Sequence, residues 1–410
     1  MSWRTRFAEN WGRLGMKFDE NELYYIHSSL SGVRHSLFDL ATWKNGLAFK
    51  KINFSDSGIP VIKIAELNNG IGGTTAYTNQ IFSEEVHLHK GDLLFSWSGN
   101  PETSIDIYRF ELEEGWLNQH IFKITPNENL VDRDYFYFIM KYLKPNFTQI
   151  ATNKQTTGLG HVTIADIKRI SVALPTLEIQ KKIVSYIKPV DERIRLNKDI
   201  NKNLEQQAQA IFKSWFIDFE PFGNRKPSDW SVSTLGNVSI MGAGGDKPQS
   251  VSQIKTDLYE YPIYSNGLSN EGLYGFTDKP KIFEESVTVS ARGTIGFVCL
   301  RHIPYVPIVR LVTLIPKAEI ISAKYLYLWL KQLHITGTGT TQQQLTVPDF
   351  QKTEILVPSQ EIVTLFTATV EPIFEKIWAT QNENGKLASL RDALLPKLMS
   401  GELDVSNIDL

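Results

Sequence analysis

The stretch LEIQKKIVSYIKPVDERIRLNKDINKNLEQQAQAIFKSW, Leu177 to Trp215, decides how this chain is organised. From Ile183 onward, the residues spaced alternately four and three apart are Ile183, Ile187, Val190, Ile194, Asn197, Asn201, Leu204, Ala208, Ile211 and Trp215. An apolar repeat of about 3.5 residues keeps one narrow stripe of a helix turned toward another helix. The spacing therefore predicts a coiled-coil seam, interrupted near its middle by two asparagines.

Adding 183 to each position gives Phe366, Val370, Ile373, Ile377, Thr380, Asn384, Leu387, Arg391, Leu394 and Leu398, again apolar at both ends and polar at the centre. The same offset carries Thr163, Asp166, Pro175, Glu178, Ile179, Pro189, Glu192 and Ile194 onto Thr346, Asp349, Pro358, Glu361, Ile362, Pro372, Glu375 and Ile377. Unlike residue types that keep one spacing without an insertion indicate an internal duplication. Two unrelated amphipathic helices, each packed on its own domain, are the plainer alternative, and the shared offset argues against it.

Seams that are polar only at the midpoint bury their amides best when the midpoints coincide, which an antiparallel pair achieves. The expected interface joins Ile187, Val190, Ile194, Asn197, Asn201 and Leu204 to Val370, Ile373, Ile377, Asn384 and Leu387, with Thr380 beside the asparagines. Pro189 and Pro372 are expected to kink or interrupt both helices at one corresponding turn, since proline lacks the amide proton and crowds the preceding turn.

At 410 residues the chain is too long for one ordinary core, and 42% hydrophobic with 21% charged residues is the balance of a water-soluble globular protein. There is no run of eighteen apolar residues, and Met1 to Met16 has no continuous apolar core, so a cytoplasmic protein without membrane contact is expected. Cys299 is the only cysteine, which excludes an intramolecular disulfide and any zinc site built on several thiolates; it is expected to be buried and inert. The formal net charge of −2 is low for a protein that grips phosphates by itself.

Residues 1 to 34 read as a weakly helical lead-in, with Trp11, Leu14, Phe18, Leu23 and Ile26 at loosely helical spacing. After it come short apolar runs, Ile59 to Ile64, Asp92 to Trp97 and His120 to Ile124, that read as strands of a loop-rich mixed domain. An aromatic helix over Asp134 to Leu143, a polar tract from Thr152 to His161 and a strand near Ile170 to Leu174 follow, and Thr176 is placed to cap the long helix. Asp218 to Asp229 is a breaker cluster, and beyond it the pattern repeats. Tyr261 to Tyr264 parallels Ile59 to Ile62, Ser290-Ala-Arg-Gly parallels Ser96-Trp-Ser-Gly, and Lys324 to Leu330 parallels Asp134 to Met140. The offset falls from about 202 to 183 along the module, so the loops differ in length while the helices keep register.

Catalytic constellations are lacking. Gly242-Ala-Gly-Gly-Asp-Lys247 fails the phosphate-loop pattern at Asp246 and Pro248 and reads as a flexible glycine turn. His87-Leu-His89 could offer two imidazoles on one side of a strand, but no third ligand suggests itself, so no metal is expected. There is no Asn-Pro-Pro-Tyr tetrapeptide and no Gly-x-Ser-x-Gly elbow, and the adjacent carboxylates Glu84-Glu85, Glu113-Glu114 and Glu284-Glu285 suit solvation better than acid–base catalysis. No catalytic residue or cofactor is expected; the chain reads as a binder.

Polar loops recur on both modules. The candidates for DNA contact are Lys44, Asn45, Lys50, Lys51, Thr74, Thr75, Tyr77, Asn79, Ser96, Ser98 and Asn100 in the first, and Lys247, Gln249, Asn266, Asn270, Ser290, Arg292 and Thr294 in the second. Lys and Arg meet phosphates or guanine edges, and Asn and Gln pair with adenine. Trp97 reads as packing, and Gln342-Gln-Gln344 closes the second set.

The chain resembles the DNA specificity subunits of type I restriction-modification enzymes. The two Thr-x-x-Asp…Pro-x-x-Glu-Ile blocks, the segment Leu204 to Phe216 and the segment Leu387 to Leu403 carry the likeness. The resemblance implies an α+β fold: two mixed α/β target-recognition domains joined by two long antiparallel coiled-coil helices, in an internal pseudo-two-fold repeat. The corresponding boundaries are a lead-in at 1–34, recognition domains at 35–175 and 222–358, a central helix at 176–221 and a C-terminal helix at 359–410. It further implies partners: double-stranded DNA, two methyltransferase subunits docked on the helices and, through the complex, restriction and translocase subunits. A helix over 178–216 is about 58 Å long at 1.5 Å per residue, a ruler on the scale of one to two DNA turns. Modules that differ in their loops should read different half-sites, so an asymmetric split target is expected. The alternative is a non-catalytic assembly scaffold that binds proteins, which the charge of −3 over 36–160, against +3 over 222–345, favours slightly.

Overall fold

The structure, a computed structural model, describes residues 24–25, 33–155, 158–267, 269–337 and 344–405. These form two compact units, one of residues 1–195 with 384–410 and the other of 196–383. Two long helices, Leu177–Phe216 and Gln360–Ser400, run through both units. Within each unit the helical halves are antiparallel.

In the first unit a four-stranded antiparallel sheet orders its strands as Ala41–Asn45, Ile121–Pro126, Leu93–Ser96 and Asp106–Arg109. A second four-stranded sheet of Tyr77–Thr78, Ile59–Ile62, Glu114–Leu117 and His87–His89 holds a smaller core around Val61, Leu88 and Trp116. The main core joins the first sheet to the aromatic helix Arg133–Tyr142 and to Ile183, Val184, Ile187, Leu395, Leu398 and Met399 of the long helices. Direction is fixed by Arg391 Nη1, 3.1 Å from Asp191 Oδ1, and by Asn384 Nδ2, which donates to the Ile194 carbonyl at 3.3 Å.

The second unit repeats this plan. Its four-stranded sheet is Ser239–Ala243, Leu311–Pro316, Ser286–Ser290 and Val298–Arg301, and a three-stranded sheet contains Tyr261–Tyr264. The helix Ala323–Gln332 lies 190 residues after its counterpart at both ends. Its core gathers Ala208, Phe212 and Phe216 of one long helix with Phe366, Val370, Phe374 and Ile377 of the other. Phe216 and Phe366 meet edge to face at 4.8 Å, and fully burying such a ring contributes about 2–3 kcal/mol. Near the midpoint Asn197 Nδ2 donates to Glu383 Oε2 at 3.1 Å, Thr380 donates its hydroxyl to Asn201 Oδ1, and Asn201 Nδ2 donates to the Ile377 carbonyl at 3.4 Å.

Three expectations need correction. Both long helices continue through Pro189 and Pro372 without interruption. A proline removes one hydrogen bond, and packing of the turns on either side holds the helix together. The strict 3.5-residue seam also widens away from the midpoint: Phe212, Phe216 and Phe374 are buried, whereas Ile211, Trp215 and Ile373 are half-buried. There each helix serves its module as well as its partner helix, so the apolar face broadens. Val190, Leu204 and Leu387 are likewise half-buried. Of the helical lead-in, Trp11, Leu14, Phe18, Leu23 and Ile26 lie outside the described residues, and Tyr24–Tyr25 form a strand parallel to Ile170–Leu174. Thr176 caps the first long helix, its hydroxyl accepting from the Ile179 amide at 3.5 Å.

Candidate nucleic-acid interface

At one edge of each module's main sheet, strand ends and loops meet in a backbone arrangement that the duplication has copied. In the first module the strand ending at Asn45, the strand ending at Ser96 and the strand starting at Ile121 finish together. In the second, Ala243, Ser290 and Leu311 do the same. His120 has φ 74° and Arg310 has φ 73°, left-handed values that side chains seldom adopt. Each turns its carbonyl to the neighbouring strand end: the Trp97 amide donates to His120 at 3.1 Å and the Ala291 amide to Arg310 at 2.9 Å. The carbonyls of Trp97 and Ala291 accept in turn from Val162 and Leu345, both at 2.8 Å.

A glycine closes each edge. The Gly46 amide donates to Ile121 at 3.1 Å and the Gly244 amide to Leu311 at 2.7 Å. A Cβ on Gly46 would stand 2.1 Å from the Asn118 oxygen, and one on Gly244 2.1 Å from the Ile308 oxygen. The segment Gly242 to Lys247 is therefore not a loose glycine turn: Gly242 lies within the strand Ser239–Ala243 and Gly244 is required by close approach.

On this common backbone the side chains differ. Trp97, Ser98, His120 and His161 stand where the second module has Ala291, Arg292, Arg310 and Gln344. The Trp97 indole donates to Asn45 Oδ1 at 3.0 Å, stacks on Phe122 at 5.7 Å, and lies 5.1 Å from the His120 ring and 6.0 Å from the His161 ring. Ser98 Oγ is 2.8 Å from His161 Nδ1. Burial, and after it the neighbouring His161, holds His120 below the usual histidine range, so its ring is a neutral donor–acceptor at pH 7. In the second module, Ala243, Ala291, Arg310, Val312 and Gln344 line a cleft of about 510 Å³. Their counterparts are Asn45, Trp97, His120, Phe122 and His161, so the indole fills in one module the space that is open in the other.

The other candidates are scattered. Lys44 is ion-paired with Glu85, and Asn100 Oδ1 accepts from the amides of Glu102 and Thr103, capping a turn. Lys50, Lys51, Thr74 and Asn79 are exposed, Tyr77 and Thr75 are half-buried, and the Thr75 hydroxyl accepts from the Gly72 amide. Ser96 and Ser290 are buried within strands, at 0% and 2% exposure, and so do not face solvent. Lys247, Gln249, Asn270 and Thr294 are exposed; Asn266 Nδ2 donates to the Arg292 carbonyl at 2.8 Å, tying two candidate loops together. Gln342 lies outside the described residues. Sequence reasoning passed over His120, His161 and Arg310, although the module offsets of 190 and 183 already pair them with polar positions in the other half.

A duplicated module with one backbone frame and two sets of side chains, mounted on paired helices, is the build of a modular recognition protein. The comparisons agree. The family model of the type I restriction modification DNA specificity domain matches residues 34–206 and again 227–384, and the chain belongs to that family. The HindI specificity subunit of Haemophilus influenzae is 26% identical, over 77% of this chain and 87% of its own length. The MjaIX specificity subunit of Methanocaldococcus jannaschii is 28% identical, over 71% and 73%. A crystal structure of a type I system S subunit from M. genitalium shares the fold with a TM-score of 0.52 at 16% identity, covering 91% of this chain and 97% of that one. The chain is thus a DNA-recognition component of a type I restriction-modification system rather than a catalytic one. No described helix is long and apolar enough to cross a membrane.

Proposed function

We propose that each module reads one half of a bipartite, asymmetric DNA site, with the sheet edges just described as the reading surfaces. The observation that carries this reading is the pairing of one backbone frame with unlike side chains. Trp97, Ser98, His120 and His161 offer a filled, imidazole-rich edge, whereas Arg310 and Gln344 line a cleft. A guanidinium suits the two acceptors of guanine and a carboxamide suits adenine, so the two halves of the target differ in sequence. Lys50, Lys51, Lys247 and the remaining exposed loop residues contact phosphates and set register. The long helices, of 40 and 41 residues, fix the spacer and dock two methyltransferase subunits, through which restriction and translocase subunits join the complex. With module charges of −3 and +3, much of the phosphate contact falls to those partners.

The test is selection from a randomised duplex pool by the full chain together with its methyltransferase subunit. Enrichment of two different short motifs at a fixed separation is the expected result. Enrichment of a single motif, or of none, removes the reading and favours a scaffold that binds only proteins.

A further inference from the structure

The first module carries a cluster outside the residues assigned above to the reading edge. Residues Glu84–Val86 form a short turn leading into the edge strand His87–His89, where alternate side chains share a face. The turn supplies the third group that the His-x-His spacing lacks: Glu84 Oε1 lies 2.8 Å from His89 Nε2, and Glu84 Oε2 lies 3.3 Å from His87 Nδ1. Ligand atoms of Glu84, His87 and His89 all fall within 4.8 Å of one another. We propose that these three residues bind a divalent transition-metal ion of the zinc class, through His87 Nδ1, His89 Nε2 and the Glu84 carboxylate.

Three features support the assignment. Two imidazoles and one carboxylate are a common donor set for such an ion, with a fourth position left for water on this exposed face. The second nitrogen of His87 is directed to a carboxylate: Nε2 lies 3.3 Å from Glu114 Oε2, on the neighbouring strand. The two groups are close without a hydrogen bond between them, and a small turn of the Glu114 side chain would let it accept from Nε2–H and leave Nδ1 as the metal-facing lone pair. The His87 ring is also held in place, stacked on Trp116 at 4.5 Å and 23°. The fold does not require this set. Leu88 pairs with Gly115 as Ile282 pairs with Tyr305 in the second module, and there the flanking positions are Lys281 and Phe283. Bound metal would clamp the edge strand to the turn before it, and it would stabilise the first unit by mass action.

The experiment titrates the tag-free full chain with zinc, in parallel with the variants His89→Ala and Glu84→Gln, and follows cobalt(II) substitution by its visible d–d absorption. Both variants change exposed side chains, and the unfolding midpoint without metal checks that they fold. The expected result is one equivalent bound by the wild type, with at least a tenfold weaker association in each variant, and a zinc-induced rise in the unfolding midpoint that both variants lose. Equal zinc binding by wild type and variants, or cobalt spectra unchanged from the aqueous ion, overturns the assignment. Neither outcome bears on the proposed DNA reading, which the pool selection tests separately.

Discussion

Thr380 donates its hydroxyl to the side-chain oxygen of Asn201, so the two long helices are joined by a polar bond at the point where their apolar seams break. Thr380 is 1% exposed and Asn201 half-buried, and losing such a bond costs about 1–2 kcal/mol. Thr380→Val should therefore lower stability by about 1–2 kcal/mol, read as a fall in the urea midpoint at unchanged slope. The double variant Asn201→Leu, Thr380→Val should recover much of that loss while loosening the helix register, because a buried polar pair specifies alignment more than it stabilises. An unchanged midpoint in Thr380→Val would show that the bond contributes nothing.

Gly46 and Gly244 make a second prediction, at the reading edges. Substituting alanine at either forces a backbone oxygen 2.1 Å away to move, and overpacking of this kind costs about 1–3 kcal/mol or more. Gly46→Ala should weaken recognition by the first module and Gly244→Ala by the second, in a pool selection made at a temperature where both remain folded. Alanine at solvent-facing Gly72 is the control, since nothing lies within 4 Å of it.

Acid stability is the third. Burial raises the Asp106 carboxyl, but Lys141 and Lys144, at 3.0 and 2.5 Å, outweigh it and hold the group below its ordinary value of 3.8. A carboxylate with a depressed folded pKa stabilises fully above the unfolded value and loses that contribution as pH falls through the folded one. Asp106→Asn should reduce stability at pH 7 and flatten the decline below about pH 4 in acid unfolding followed by near-ultraviolet circular dichroism. A decline as steep as in the wild type would place the acid-labile group elsewhere.

Much of the architecture could be read before any coordinates, for a physical reason. A duplication repeats spacing, and the spacing of Asn197 and Thr380, or of Thr163 and Thr346, survives in the chain as written. What escaped was whatever depends on a third surface. Phe212 and Phe374 sit off the 3.5-residue seam because each module adds its own apolar face to the helices. Proline in mid-helix at Pro189 signals a break locally, and packing overrides it. Site residues were harder still: Asn100 and Lys44 look like free polar groups in sequence, yet one caps a turn and the other pairs with Glu85. His120 and Arg310 could be ranked only once their matching left-handed backbones were visible.

The most direct test alters one edge at a time and reads both halves of the target. The full chain with its methyltransferase subunit would carry Arg310→Ala in one preparation and Ser98→Ala with His161→Ala in another, each used to select from the same randomised duplex pool. Loss of a bidentate base contact is worth about 1–3 kcal/mol of discrimination, roughly a tenfold to hundredfold relaxation at the affected position. Two modules reading separately predict that Arg310→Ala relaxes one half-site only, that the Ser98 and His161 pair relaxes the other only, and that the spacing is unchanged in both. Relaxation of the same half-site by both preparations, or no change in either, would contradict the account.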